Sequence, residues 1–184
     1  MDKNRKLVLL ISGPIAVGKS SIVSALTDKF GLRNLSSGNY LKNIAISRRL
    51  KADRATLTRI GDEMDLETDY AWVVDKVLES AMEQNPLIDK WVFDSVRKKR
   101  QVFHFRDTFP NLVVHIHFVA EERTLRDRYN SRNASKDNRS YEIAVLSPNE
   151  KEARSLREIA DHIFDTNDLN PCEIAKDVME LLYG

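Results

Sequence analysis

At 184 residues the chain has the size of one domain, and its 42% hydrophobic and 31% charged residues exclude a disordered or fibrous protein. Twenty-nine basic residues against twenty-eight acidic ones leave a formal charge of +1, so no global field draws nucleic acid or an anionic membrane, and any attraction for phosphate is local. Cys172 is the only cysteine, which rules out an internal disulfide and a multi-cysteine zinc site and suits a reducing cytoplasm.

Lys6 to Ser12 is a short leucine-rich and β-branched run ending at glycine, the pattern of a central parallel strand buried on both faces. It is far too short for a signal peptide or a membrane span. From Lys19 to Phe30 the apolar residues Ile22, Val23, Ala25, Leu26 and Phe30 recur at helical spacing, with Gly31 as the stop. A short apolar step, Leu32 to Leu35, leads to Ser36 and Ser37, either of which can cap a helix from near Tyr40 to about Leu50. Ala55 to Met64 and Ala71 to Gln84 are helical in period and flank the acidic turn Asp65 to Asp69, so this region reads as a helical insertion. Lys90 to Asp94 and Leu112 to Val119 are strand-like, and Val96 to Phe109 between them reads as a helix. Glu121 to Arg132 is a charged helix, Ala134 to Tyr141 a polar flexible stretch, and Asn149 to Ala160 a further helix. His162 to Asp165 is the last strand, and a helix from Pro171 to Leu182 closes the chain. Alternating strands and helices imply an α/β fold: one domain over 1–184, a parallel sheet covered on both faces, and ligands at the carboxyl ends of the strands.

Gly13-Pro14-Ile15-Ala16-Val17-Gly18-Lys19-Ser20 has the spacing G-x-x-x-x-G-K-[ST] between a predicted strand and a predicted helix, the setting a P-loop requires. The glycines let the backbone turn and bring its N–H groups, those of Ala16 and Val17 among them, toward phosphate oxygens, while the helix N-terminus adds positive charge. Lys19 is expected to reach the β- and γ-phosphates of ATP, Ser20 to offer its hydroxyl to Mg2+, and Ser21 to add a phosphate contact. Asp94, ending a strand beside that loop, is the expected acidic partner of the metal; its plainer use is to cap the next helix. Arg97 suits an acceptor phosphate, with a solvated Arg97 to Arg100 helix face as the alternative. Arg123, Arg126, Arg128, Arg132 and Arg139 read as the cations of a mobile lid over 123–148, with Arg128 and Arg132 one helical turn apart on a shared face; ordinary i,i+4 ion pairing is the bland alternative. His104, His115, His117 and His162 lack metal-ligand spacing and are read as structural, and Trp72 and Trp91 as core.

These residues resemble the P-loop kinases of small phosphorylated molecules, including adenylate-kinase-like nucleoside monophosphate kinases and dephospho-coenzyme A kinases, over nearly the whole chain. Leu35-Ser36-Ser37-Gly38-Asn39-Tyr40-Leu41 is similar to the I-S-T-G-D-L-L segment that opens their acceptor region. Asp94-Ser95-Val96-Arg97 is similar to their Asp-Gly-x-x-Arg stretch, and Arg128-x-x-x-Arg132 to their lid arginine pair. The chain departs from them at Asn39 and Ser95 and in lacking a cysteine lid. The resemblance implies a P-loop three-layer α/β/α sandwich with a helical acceptor-binding region over 36–85 and a lid. It further implies ATP with Mg2+, phosphoryl transfer to a nucleoside or deoxynucleoside monophosphate, Ser37, Gly38 and Arg97 on the acceptor, and Lys19, Asp94, Arg128 and Arg132 in catalysis. A hydroxyl acceptor, such as that of dephospho-coenzyme A or a modified base, would make Asp94 the general base. A regulatory NTPase acting on a protein partner is the rival class; Thr166-Asn167-Asp168 is too incomplete for a guanine-specificity element.

Overall fold

The run predicted as the first strand is apolar on both sides because both of its sides are covered. The computed structural model describes residues 6–94, 96–133, 140–168 and 170–183. In it β1 (Leu7–Ser12), all six residues buried, lies between β3 (Lys90–Asp94) and β4 (Val113–Val119). Beyond them stand β2 (Arg33–Ser36) and β5 (His162–Asp165), giving the order β2-β3-β1-β4-β5 with every pairing parallel. Alternation along β1 divides its side chains between two cores. Leu7, Leu9 and Ile11 join α1 (Lys19–Phe30) and α9 (Pro171–Tyr183) on one face, with Tyr129 and Tyr141 from α6 (Glu122–Asn133) and α7 (Tyr141–Val145). Val8 and Leu10 join α2 (Ser37–Ser47), α3 (Arg54–Glu67) and α5 (Lys99–Thr108) on the other. Each fully buried aliphatic here contributes roughly 1.5–3 kcal/mol, and the result is a three-layer α/β/α sandwich.

Several elements differ from their sequence expectation for reasons visible in the contacts. The step before Ser36 is a strand: as an edge strand it needs few apolar residues, and β3 supplies its pairing, Leu35 opposite Phe93 and Ser36 opposite Asp94. The helix that follows starts at Ser37 rather than near Tyr40. It stops at Ser47, where Arg49 takes a left-handed φ of 55° and Leu50 N–H closes onto the Ala45 carbonyl at 2.8 Å. The predicted Ala71 to Gln84 helix is π-helical over Val73–Glu79, which turns Val73, Val74, Val77 and Leu78 inward, before continuing as α4 (Ser80–Gln84). Helix α5 begins at Lys99, three residues beyond Val96, because Val96 donates its N–H to Ile11 O at 3.2 Å and prolongs the pairing of β3 with β1. The Asn149 to Ala160 helix is α8 (Pro148–Ser155) followed by a tighter 3-10 turn, Leu156–Ile159. Ser95, Arg139 and most of the predicted polar stretch lie outside the described residues.

Candidate active site

The loop between β1 and α1 is shaped by its glycines. Gly13 has φ 143°, and a Cβ there would stand 2.5 Å from Phe118 O, so no side chain fits where the loop passes β4. Gly18 has φ 102° and precedes α1, while Ala16 accepts a left-handed φ of 64°, a costly conformation for a residue with a Cβ. The first turn of α1 contains no acidic residue, and no side chain caps it. Its free N–H groups and its dipole therefore face the loop, as an anion site requires. Lys19 folds back on this loop, donating from Nζ to Gly13 O at 2.7 Å and Pro14 O at 2.8 Å. Burial pulls the pKa of its ammonium down to about 8; the charges of Glu150 and Asp94 oppose that fall, while those of Arg97 and Arg132 add to it.

Asp94 ends β3 half-buried, in register with Ile11 and Ser36, and its charge reaches both Lys19 and Arg97. The Ser20 hydroxyl is exposed at the start of α1. These two hard oxygen donors fit Mg2+, which commonly takes one or two protein ligands and completes its shell with phosphate and water. Among the described residues no group of three or more His, Cys, Asp or Glu could hold a metal without such a partner. The Gly13 to Ser20 loop, Lys19 and the N-terminus of α1 likewise fit a triphosphate.

Two cavities share a wall, and the smaller of them reaches the loop. The smaller, about 110 Å³, is bounded by Gly13, Ile15, Lys19, Arg97 and Glu150. The larger, about 370 Å³, has Ser37, Gly38, Leu41, Asp65 and Trp72 on its walls. Arg54, Arg97 and Asn149 belong to both, so the region 36–85 and the P-loop face one continuous cleft. The Arg97 guanidinium makes no hydrogen bond or ion pair with another described residue, while its N–H is 3.3 Å from Gln101 Oε1. Loss of solvent around it lowers its pKa, and the neighbouring Arg54 adds to that; a bound anion would relieve both effects.

The two arginines expected to share a task are used differently. Arg128 donates to Thr166 O at 2.6 Å and Asn167 O at 2.9 Å, tying α6 to the turn after β5, and Thr166 in turn donates to Val17 O at 2.9 Å. Arg132 is exposed, and its charge acts on Lys19. Arg126 pairs with Glu142, and Arg123 approaches Asp127 at 4.0 Å, contacts of the bland kind. Ser21 is half-buried in the first turn of α1.

The sequence reading missed Glu150. Its Oε1 accepts from the Ile15 N–H at 2.9 Å and from Arg154 Nε at 3.1 Å, and Arg154 continues to Glu122 Oε2 and the Tyr141 hydroxyl, both at 3.0 Å. Tyr141 donates to Glu122 Oε1 at 2.7 Å, and its pKa is pushed up to about 12, first by burial and then by that carboxylate. This chain of contacts links α6, α7 and α8 to the P-loop. Ser147-Pro148-Asn149-Glu150 has the form of a capping box, and Ser147 does cap α8 through Glu150 N–H. That local signature conceals a carboxylate directed elsewhere. Three of the histidines have partners within the fold: Ser12 Oγ lies 2.7 Å from His115 Nε2 and 2.8 Å from His117 Nδ1, just before the P-loop, and His104 bonds the Asp69 carbonyl. Trp91 is core, whereas Trp72 is both buried and part of the cavity wall.

This architecture recurs in solved proteins. A sugar kinase of Janibacter sp. HTCC2649 matches with a TM-score of 0.54 and 14% identity, over 96% of this chain and 94% of that one. A gluconokinase of Sinorhizobium meliloti 1021 matches at 0.51 and 16%, over 98% of each chain. Protein TT1252 of Thermus thermophilus matches at 0.59 and 17%, over 97% of each. At these identities the likeness is one of fold. No curated protein matches the chain in sequence. The family model described as AAA domain matches residues 12–142, from the last residue of β1 through the P-loop, Asp65 and Arg97 into α7. With well over half its length accounted for in this way, the chain belongs to the AAA domain family.

Proposed function

We propose that the protein is an ATP-dependent kinase that transfers a phosphoryl group to a small anionic acceptor, a nucleoside or deoxynucleoside monophosphate. The observation that carries this reading is the position of Arg97, a guanidinium without a described partner on the wall shared by the P-loop cavity and the larger cavity. There it can hold an acceptor phosphate within reach of the donor. An oxygen of that phosphate attacks the γ-phosphorus, the bond to the β,γ-bridging oxygen breaks, and ADP leaves. Mg2+ held by Ser20 and Asp94 would neutralise donor phosphate charge. Lys19 stabilises the charge on the oxygens being transferred, Arg132 adds a cation from α6, and Ser37 and Gly38 border the acceptor. No covalent enzyme intermediate is required.

A second reading is a sugar or sugar-acid acceptor, in line with the sugar kinase and the gluconokinase among the fold relatives. Asp94, at the strand end beside Lys19, would then take the proton of the attacking hydroxyl. ADP release with Mg2+ and a panel of ribo- and deoxynucleoside monophosphates, nucleosides, gluconate and dephospho-coenzyme A distinguishes these readings. We expect turnover with a nucleoside monophosphate and its loss, by about 100-fold or more, in Lys19→Ala. Turnover with gluconate alone would transfer the site to the second reading. Tight ATP binding that no acceptor stimulates would indicate a regulatory NTPase.

A further inference from the structure

Asp65 is a carboxylate in an unusual place. It lies near the end of α3, only 6% exposed, on the wall of the 370 Å³ cavity. Its Oδ1 accepts from Trp72 Nε1 at 2.7 Å and from Gln101 Nε2 at 3.4 Å. Its Oδ2 accepts nothing from any described residue, yet it is not among the sealed polar atoms without a partner. That oxygen is therefore left to the contents of the cavity.

The surroundings fix its direction. Trp72 is stacked on Tyr40, with ring centroids 5.9 Å apart, and the braced indole holds Oδ1. The Gln101 amide spans from the Arg97 backbone N–H, which it accepts, to Asp65, to which it donates, so its orientation is set at both ends. A guanidinium and a carboxylate oxygen without described partners thus stand one glutamine amide apart on one cavity wall. Burial raises the Asp65 pKa while the nearby charge of Lys98 lowers it; a further hydrogen-bond donor would stabilise the carboxylate.

We propose that Asp65 selects the acceptor, its Oδ2 accepting a hydrogen bond from the exocyclic amino group of the acceptor base (cytosine N4 or adenine N6) while Arg97 holds the phosphate. This rests on the nucleoside monophosphate reading above and narrows it. Cytosine and adenine, which present an amino group at that position, are taken in preference to uracil, thymine and guanine, which present a carbonyl oxygen there. A buried acceptor left unmatched by uracil gives the discrimination its size, about 10- to 100-fold in kcat/KM.

The test is kcat/KM for CMP, AMP, GMP, UMP and dTMP with the wild type and with Asp65→Asn, whose fold is checked by thermal unfolding. The variant keeps an acceptor for Trp72 and offers the cavity a donor in place of an acceptor. We expect the wild type to favour CMP or AMP, and Asp65→Asn to lose that preference while gaining activity on UMP or dTMP. Equal wild-type activity on amino and carbonyl bases, or an Asp65→Asn protein that loses the same factor on every nucleotide, overturns the role of Asp65 and leaves the kinase reading standing. Turnover of no nucleoside monophosphate at all overturns the nucleotide reading itself, and this proposal with it. If Asp65→Asn does not fold, the wild type alone decides by comparison of CMP with the pyrimidin-2-one ribonucleoside 5′-monophosphate, which lacks the amino group and adds no bulk: loss of activity supports the proposal, and equal activity overturns it.

Discussion

In the proposed function Lys19 must be charged to bind phosphate, yet its ammonium is buried against two carbonyls of its own loop and its pKa is pulled down to about 8. The sign follows directly: below that value the site is cationic, and above it the cation is lost from the free enzyme. We therefore expect kcat/KM for ATP to fall on the alkaline side with an apparent pKa near 8. Glu150 is the largest influence holding that pKa up. Glu150→Gln keeps an acceptor for Ile15 but removes the charge, so the alkaline limb should move to lower pH. A limb that stays in place would show that Glu150 does not govern the charge of Lys19.

Among the elements, β4 is the clearest case of function-bearing structure resting on a polar core. His115 and His117, two residues apart, point to one side of the strand, and the register of β4 with β1 brings both to Ser12. Burial depresses both histidines to about 4. Between pH 6.5 and that value the unfolded chain binds protons that the folded core refuses, so stability is complete above pH 6.5 and is lost as pH falls toward 4. A shift of this size is worth roughly 3 kcal/mol for one such histidine, and because both share Ser12 the two effects are coupled. Urea unfolding at neutral and acid pH should show a shallower pH dependence in His117→Gln than in the wild type; parallel curves would assign the acid loss to carboxylates instead. The alternation of these histidines was legible in the sequence. Their shared partner was not, because it lies on another strand.

At the scale of the whole molecule, the sheet order places β3 and β4 on opposite sides of β1, and the P-loop leaves β1 between them. The same topology separates the two arginines that sequence spacing had paired. Arg128 reaches 38 residues along the chain to Thr166 and so holds α6 to the turn after β5, whereas Arg132 remains exposed with its charge felt at Lys19. Arg128→Ala is therefore expected to lower the Tm, by an amount corresponding to about 1–3 kcal/mol, and Arg132→Ala to lower kcat with the Tm unchanged. Thermal unfolding and steady-state turnover on both variants check this; the reverse pattern would exchange their roles.

The P-loop could be read without a structure because its eight residues are contiguous: glycine geometry, the lysine and the helix start are local properties of one segment. The strands were legible for a similar reason, since burial on one or both faces writes a period into neighbouring residues. Glu150 meets Ile15 across 135 residues, and Asp65 meets Gln101 across 36. Neither pair leaves a spacing signature, because which side chains share a cavity depends on strand order and on how the helices settle on the sheet. The sequence by itself determined the P-loop and the α/β alternation, through local sterics and hydrophobic period; the tertiary structure alone decided which distant carboxylates and guanidiniums complete the cleft.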